Sequence, residues 1–371
     1  YEQQIITSEG SAPQNNRAIS DNRTNVGTYS VSPYWRKDIG RSLLALARYT
    51  YGIVRYGSTS DTEDFSDTEG FSDSNLHAVD LQLGSQSSSK AAYWALQAVG
   101  GRVNYDDQPS DKYHRETLRL GYRLSSKLAL EGVSGFESYD IESEAGDSSN
   151  PDGFVWEAGV IWDPRARDHF EFGFGDRSFG TTYRFQWLHE ASRFSTQISY
   201  SEEPETNATL AVSEGFSALD DQSVQSEEGG SSPGFRQSDE FFIRKYLDTD
   251  LTLRWPKTTI SYSPYFERRE YEFNGTDKNY GIFGTARWQV KPRTAIVISG
   301  SRGREEFASS DDENDFTLAA IGIQYLFGPR TTGSLVYQFI KEDFDDSTQG
   351  YKEHAVTLQF VRTFGRVVDL P

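Results

Sequence analysis

Apolar and polar side chains alternate with a period of two along most of the sequence. Phe154, Trp156, Ala158, Val160 and Trp162 share one face, with Glu157 and Gly159 on the other. Phe170, Phe172 and Phe174 then alternate with His169, Glu171, Gly173 and Gly175, and Tyr183, Phe185 and Trp187 with Thr182, Arg184 and Gln186. The pattern returns at Leu118, Leu120 and Tyr122, at Ile321, Ile323 and Tyr325, at Leu335, Tyr337 and Phe339, and at Val356, Leu358 and Phe360. Side chains of a strand point alternately to its two faces, so these segments predict amphipathic strands. A soluble sandwich alternates in the same way, so the pattern alone does not choose an architecture.

The connections choose it. Every second one is predicted to be short, many with a proline: Asp163-Pro164-Arg165, Trp255-Pro256-Lys257, Lys291-Pro292-Arg293 and Gly328-Pro329-Arg330, with further short ones near Lys37–Gly40, Gln86–Lys90, Ser125–Lys127 and Glu190–Ser192. Proline presets the turn dihedral and cannot donate to a ladder. The intervening connections read as longer and acidic: Asp61–Asn75 holds six acids and no base, and Asp140–Asp152, Glu202–Glu240, Ala308–Asp315 and Glu342–Tyr351 follow. A barrel with turns on one rim and loops on the other has this rhythm. Pro256 and Pro292 are 36 residues apart and Pro292 and Pro329 are 37 apart, room for two strands, a turn and a loop. Seventeen strands follow from Thr24 onward, and an extended stretch at Tyr1–Ser8 makes eighteen.

The expectation is therefore an all-β transmembrane antiparallel up-and-down barrel of about 16–18 strands, with short periplasmic turns and long acidic extracellular loops. Residues 1–23 form an N-terminal segment with a possible first strand and a loop, and residues 24–371 form the barrel. The long loop 203–238 is rich in Ser, Glu and Gly; it reads as a mobile loop outside the membrane or as a constriction folded into the lumen.

Composition agrees. Hydrophobic residues are only 36% of the 371, yet aromatics reach 14%, which separates the chain from a disordered one. No stretch is apolar enough for a transmembrane helix, a limit that does not touch strands. With no signal peptide, the chain reads as a mature or partial product. Cysteine is absent, which removes disulfides and thiolate metal sites, and a net charge of −19 argues against nucleic acid as a partner.

Candidate chemistry lies on the polar faces. Arg48, Arg115, Arg119, Arg123, Arg184, Arg193, Arg244, Arg254, Arg269 and Arg287 fall opposite the apolar residues, with Glu131, Glu157, Glu171 and Glu267. A mid-membrane charge facing lipid costs about 2–4 kcal/mol, so these predict a wet lumen lining. Two uses stay open: a lattice of Arg–Glu pairs bracing the wall, or a basic-lined path for anionic solutes or sugars. Tyr34, Trp35, Trp94, Trp162, Trp187, Trp255 and Trp288 near strand ends predict interfacial girdles.

Catalytic signatures are missing, so no enzyme and no cofactor are expected. His77, His114, His169, His189 and His354 are scattered; His169 and His189 come close in the predicted hairpin but lack a third ligand. Asp311-Asp312-Glu313 and Asp343, Asp345 and Asp346 offer oxygens without calcium-loop spacing, and no metal is expected. Asn22, Asn207 and Asn274 match the glycosylation sequon by chance.

Several short stretches resemble one family. Ser32-Pro33-Tyr34, Ala47-Arg48-Tyr49 with Arg55-Tyr56, Leu128–Tyr139, Gly159–Pro164, Phe174–Gly180, Ile198–Glu202 and Arg268–Tyr271 are similar to outer-membrane proteins of exopolysaccharide loci that accompany the PEP-CTERM/exosortase sorting system. The resemblance spans most of the chain except the acidic insert. It implies a Gram-negative outer-membrane barrel tied to polysaccharide export, with no catalytic residues to carry over. The expected function is a passive channel, or porin, for small solutes or a component of exopolysaccharide export. The alternative is a non-conducting envelope scaffold whose lumen Arg/Glu side chains and loops occlude. Expected partners are outer-membrane lipid and lipopolysaccharide, a polysaccharide or small-solute cargo, and a second copy or another envelope protein.

Overall fold

The computed structural model describes residues 2–6, 24–40, 42–58, 72–85, 91–106, 109–142, 148–210, 212, 241–273, 275–307, 313–328, 330–344 and 350–362. Most of the acidic loop Asp61–Asn75, the turn Gln86–Lys90, Asp311, Asp312, Asp345, Asp346, Asn22 and Asn274 lie outside the described residues.

The strands are β1 (Glu2–Ile6), β2 (Thr24–Val31 continued by Tyr34–Ile39), β3 (Leu43–Ser58), β4 (Ser74–Ser85), β5 (Ala92–Tyr105), β6 (Asp111–Arg123), β7 (Leu128–Glu142), β8 (Asp152–Arg165) and β9 (Asp168–Arg177). They continue with β10 (Gly180–Glu190), β11 (Phe194–Glu205), β12 (Phe242–Arg254), β13 (Thr258–Tyr271), β14 (Gly275–Lys291), β15 (Thr294–Glu306), β16 (Glu313–Gly328), β17 (Thr331–Phe344) and β18 (Tyr351–Arg362). Each pairs antiparallel with the next, so the chain is an up-and-down sheet of eighteen strands, β1 included. Among the described residues no ladder joins β18 to β1. Closed into a barrel, eighteen strands about 4.8 Å apart and tilted about 40° make a cylinder roughly 35 Å across between backbones.

Strand β2 is one element despite Pro33. Val31 faces Tyr51 and Tyr34 faces Arg48, so the register runs through the break. Pro33 has no N–H, but its carbonyl accepts from the Tyr49 amide at 3.1 Å, and the Ser32 and Thr50 hydroxyls bond at 2.9 Å.

Tight turns on one rim follow β2, β8, β10, β12 and β14. One proline sits differently from the expectation. Asp163-Pro164-Arg165 ends β8 beside a bulge between Trp162 and Arg165, and the turn is Ala166-Arg167. A bulge tolerates the missing donor, so proline near a turn need not be in it. The short/long alternation is not strict either. On the loop rim, Ser178-Phe179 joins β9 to β10, with Gly180 at φ 112° taking the strained position, and residues 272–274 join β13 to β14.

Outward-facing apolar residues form a belt around the wall, among them Leu120, Phe136, Phe154, Phe172, Ile298, Ile323, Leu335, Leu358 and Phe360, all exposed. A belt of this extent has no place in water, and hydrocarbon is its natural surrounding. Inside, the opposite faces carry the charge.

Candidate functional site: the lumen and its inward hairpin

The inner faces hold a chain of ion pairs. On β6 and β7, Arg119 donates to Glu131 at 3.0 Å, and the Tyr93 hydroxyl donates to the same carboxylate at 2.6 Å. Arg184 on β10 bridges Glu171 at 2.7 Å and Glu157 at 2.8 Å, spanning β8 to β10. Buried Glu267 on β13 accepts from Arg244 at 2.9 Å and Arg269 at 2.8 Å. Arg287 donates to Gln324. Alternation brings each of these side chains inward, and a charge-assisted bond holds it more cheaply than an unpaired charge. Arg48, Arg123 and Arg254 also lie on inner faces, opposite Tyr34, Ala129 and Thr259 in the ladders.

Above this lattice the wall opens inward. Strands β10 and β11 pair only from Phe185↔Tyr200 down to Glu190↔Ser195, whereas β11 and β12 stay paired up to Glu205↔Phe242. The upper end of the β11–β12 hairpin therefore leaves its neighbour. Glu203 on β11 reaches Arg177 of β9 at 2.8 Å and Arg115 of β6 at 3.4 Å. Strands β6 and β11 are five strand spacings apart, about 24 Å along the wall. A contact at 3.4 Å is possible only if the hairpin end crosses the lumen.

Arg177 is the hub of that crossing. Its guanidinium, 7% exposed, donates to Glu137 at 2.7 and 3.1 Å, to the Glu202 carbonyl at 3.4 Å and to the Tyr139 hydroxyl at 3.3 Å. Glu137 also accepts from the Ser178 amide at 2.9 Å and hydroxyl at 2.8 Å, so the buried carboxylate is fully engaged. Phe241 and Ile243, where β12 begins, pack on Tyr139 and Ile141 of β7, with Phe241 and Tyr139 ring centroids 5.3 Å apart.

The chain then continues across. Thr206 starts a helical turn over residues 207–210: its hydroxyl accepts from the Thr209 amide at 3.2 Å, and the Thr209 hydroxyl accepts from the Thr206 amide at 2.9 Å, a reciprocal cap. The Asn207 side-chain oxygen accepts from Arg269 at 3.0 Å. Ala208 and Val212 bury themselves against Val54, Leu76, Val103 and Tyr105 on the inner faces of β3, β4 and β5. Gly52 makes room, since a Cβ there would lie 2.5 Å from Val212 Cγ2. Of the two readings of loop 203–238, its described beginning follows the inward one.

Some expected positions move. Arg193 sits in the turn before β11 at the short-turn rim, not in the wall. Tyr34 shares the inner face with Arg48, because it neighbours outward Trp35 and adjacent strand residues point opposite ways. Trp35, Trp94, Trp162, Trp187 and Trp288 lie outward towards the short-turn rim and Trp255 in the turn after β12, one girdle at a single rim. Phe170 stacks between Trp162 and Trp187 at 5.2 and 5.6 Å. His169 and His189 fall on opposite faces: His169 bonds Asp163 and Glu171 at 2.6 and 2.9 Å, and His189 bonds Asp168 at 2.7 Å. Among the described residues no cluster fit for a metal ion is present. The sequence reading missed Glu137 and Arg177, although each sits on the inward parity of its strand. Glu203 had no such signal, because its partners depend on the hairpin leaving the wall.

No protein-family model matches the chain, and no curated protein matches it in sequence. Solved structures similar in shape include the ferric yersiniabactin uptake receptor of Yersinia pestis, 12% identical with a TM-score of 0.42 over 96% of this chain and 57% of the receptor. The chain thus spans little more than half of that protein. An anion-selective porin from Comamonas acidovorans is 8% identical with a TM-score of 0.36, covering 92% of this chain and all of the porin. OccK2 of Pseudomonas aeruginosa is 9% identical with a TM-score of 0.31, covering 92% and 98%.

Proposed function

We propose that this protein is an integral outer-membrane channel whose passage is set by the β11–β12 hairpin folded across the lumen. The observation that carries the reading is the reach of Glu203 to both Arg115 and Arg177. A barrel roughly 35 Å across would otherwise enclose a wide aqueous path. The polar inner wall suits hydrated solutes, and its paired arginines suit anions or sugars. The resemblance to exopolysaccharide-locus proteins favours a sugar cargo within this reading.

A second reading has its own support. The two apolar clusters that seat the hairpin on β3–β5 and on β7 bury it as a core segment is buried, which suits a non-conducting scaffold. Planar-bilayer recording separates the two. The wild type is expected to show small, brief conductance steps, and a variant with residues 206–241 replaced by a short turn to show large, stable ones. Silence from the shortened variant, with insertion verified, would refute the channel and leave the scaffold.

A further inference from the structure

Two sectors of the outer surface differ in the sign of the first outward charge met above the apolar stretch of each strand; outside them, β3 and β5 carry Arg55 and Arg102 at that position. On β6, β7, β8 and β9 that charge is acidic: Glu116 above Leu118, Asp140 above Phe136, Asp152 above Phe154 and Asp176 above Phe174. From β12 to β18 it is basic on every strand but β16: Lys245 above Leu247, Arg268 above Phe266, Lys278 above Tyr280, Arg302 above Ile298, Lys341 above Phe339, and Lys352 above His354. The exception, Asp315, is held by Arg304 at 2.8 Å.

Glu270 and Asp343 stand further from the apolar belt than the cations they pair with, and Glu306 stands level with Lys278. Glu270 lies two residues beyond Arg268 and accepts from it at 3.0 Å and from Lys245 at 2.9 Å. Glu306 accepts from Lys278 at 2.7 Å, and Asp343 pairs with Lys341 from two residues beyond it. Among the described residues Arg302 and Lys352 make no ion pair. Lys341 and Lys352 stand directly opposite each other in the ladder, a like-charge arrangement in which only Lys341 has a carboxylate partner, Asp343, among the described residues.

The height fits a lipid headgroup. On β14, Trp288 of the girdle and Lys278 are ten residues apart. At about 3.4 Å per residue and a tilt of about 40°, that separation is roughly 26 Å along the membrane normal, the height of an outer-membrane barrel's apolar band. Lys278 therefore emerges where the loop-side leaflet places its phosphates, while Arg302, six residues above Ile296 on the rung of Trp288, starts roughly 16 Å up and approaches that level with its long side chain extended.

We infer that the outward face of β12–β18, centred on Arg302, Lys341 and Lys352, docks a phosphate-bearing lipid of the outer leaflet, with the β6–β9 sector left without it. This rests on the outer-membrane placement proposed above, but on neither conduction nor the hairpin. Native mass spectrometry of the detergent-solubilised full chain, titrated with diphosphoryl lipid A, tests it. The wild type is expected to bind, and Arg302→Gln/Lys341→Gln/Lys352→Gln to bind at least about tenfold more weakly. Lys341→Arg/Lys352→Arg keeps the charge and should keep the affinity. Glu116→Gln/Asp152→Asn/Asp176→Asn, matched in number on the other sector, should change affinity less than about twofold. Heat-modified gel migration checks that each variant is folded. Unchanged binding by the neutralised variant, or an equal loss in the acidic-sector variant, overturns the inference. Failure of the wild type to bind while it still inserts into phosphatidylcholine vesicles would overturn it and leave the barrel reading standing.

Discussion

The seat of the hairpin can be tested with one added methyl. Gly52 lies on the inner face of β3, and a Cβ there would meet Val212 Cγ2 at 2.5 Å and Cγ1 at 3.3 Å, while its next neighbour, Leu76 Cβ, is at an ordinary 3.5 Å. Gly52→Ala therefore collides with the inserted segment and with nothing in the wall. Val212 is 2% exposed and has no slack, so it must withdraw by about 1 Å or more. Overpacking of this kind costs about 1–3 kcal/mol, equivalent to raising the undocked population about 5- to 150-fold. The barrel itself should gain, because alanine in a strand is better than glycine by about 0.5–1 kcal/mol. The chain has no cysteine, so Ala208→Cys, at a position 3% exposed, supplies a single thiol. Its maleimide labelling rate in reconstituted vesicles should rise by that factor when Gly52→Ala is added. Further addition of Val212→Ala removes both colliding methyls and should restore much of the protection. Labelling within twofold of the parent, with no effect of Val212→Ala, would refute the docking geometry.

Two further outcomes follow from the same contacts. Glu203→Gln keeps the shape of the crossing and removes its charge; with Glu203 about half exposed, the loss is roughly 1 kcal/mol, and the accompanying gain in channel open time should shrink as salt is raised from 0.1 M to 1 M. Leu358→Arg on the lipid face of β18 should lower the unfolding free energy in phospholipid vesicles by about 2–4 kcal/mol, whereas Tyr34→Arg, on the inner face, should change it by less than about 1 kcal/mol. An equal loss at both positions would place Tyr34 outward and restore it to the girdle.

The contrast between Tyr34 and Trp35 shows what the sequence made legible. Alternation of period two assigns faces within a strand, and Phe154–Trp162 or Val356–Phe360 could be read directly, because every second residue in them is large and apolar. At Ser32–Arg36 two aromatics are adjacent, and only the ladder to Arg48 decides which of them turns inward. Proline marked the turn itself at Pro256 and Pro292 but only the rim at Pro164, where a bulge accommodates it inside β8. The inward residues Glu137 and Arg177 were within reach of the same parity rule. They went unnoticed because their significance comes from meeting each other, 40 positions apart, at the top of β7 and β9.

The hairpin itself has no sequence signature because it arises from a ladder that stops. Residues Ser201–Glu205 of β11 retain every pairing to β12 and lose every one to β10, which no local pattern records. What the segment does carry is amphipathic in a different sense. Glu203 is charged where it meets Arg177 and Arg115, and Ala208 and Val212 are apolar where they meet β3–β5. Two unlike anchors, a charged one on β6 and β9 and an apolar one on β3–β5, fix a short segment inside a wide lumen more firmly than either could alone, since releasing one leaves the other to hold the chain close to its seat. Removal of the charge anchor should therefore loosen the crossing without clearing it, and removal of the apolar anchor should do the same from the other side. Only a variant lacking both, Glu203→Gln with Gly52→Ala, should bring the conductance near that of the shortened hairpin. If either single change already reached it, the crossing would hang from one anchor, and the second contact would be incidental to closure.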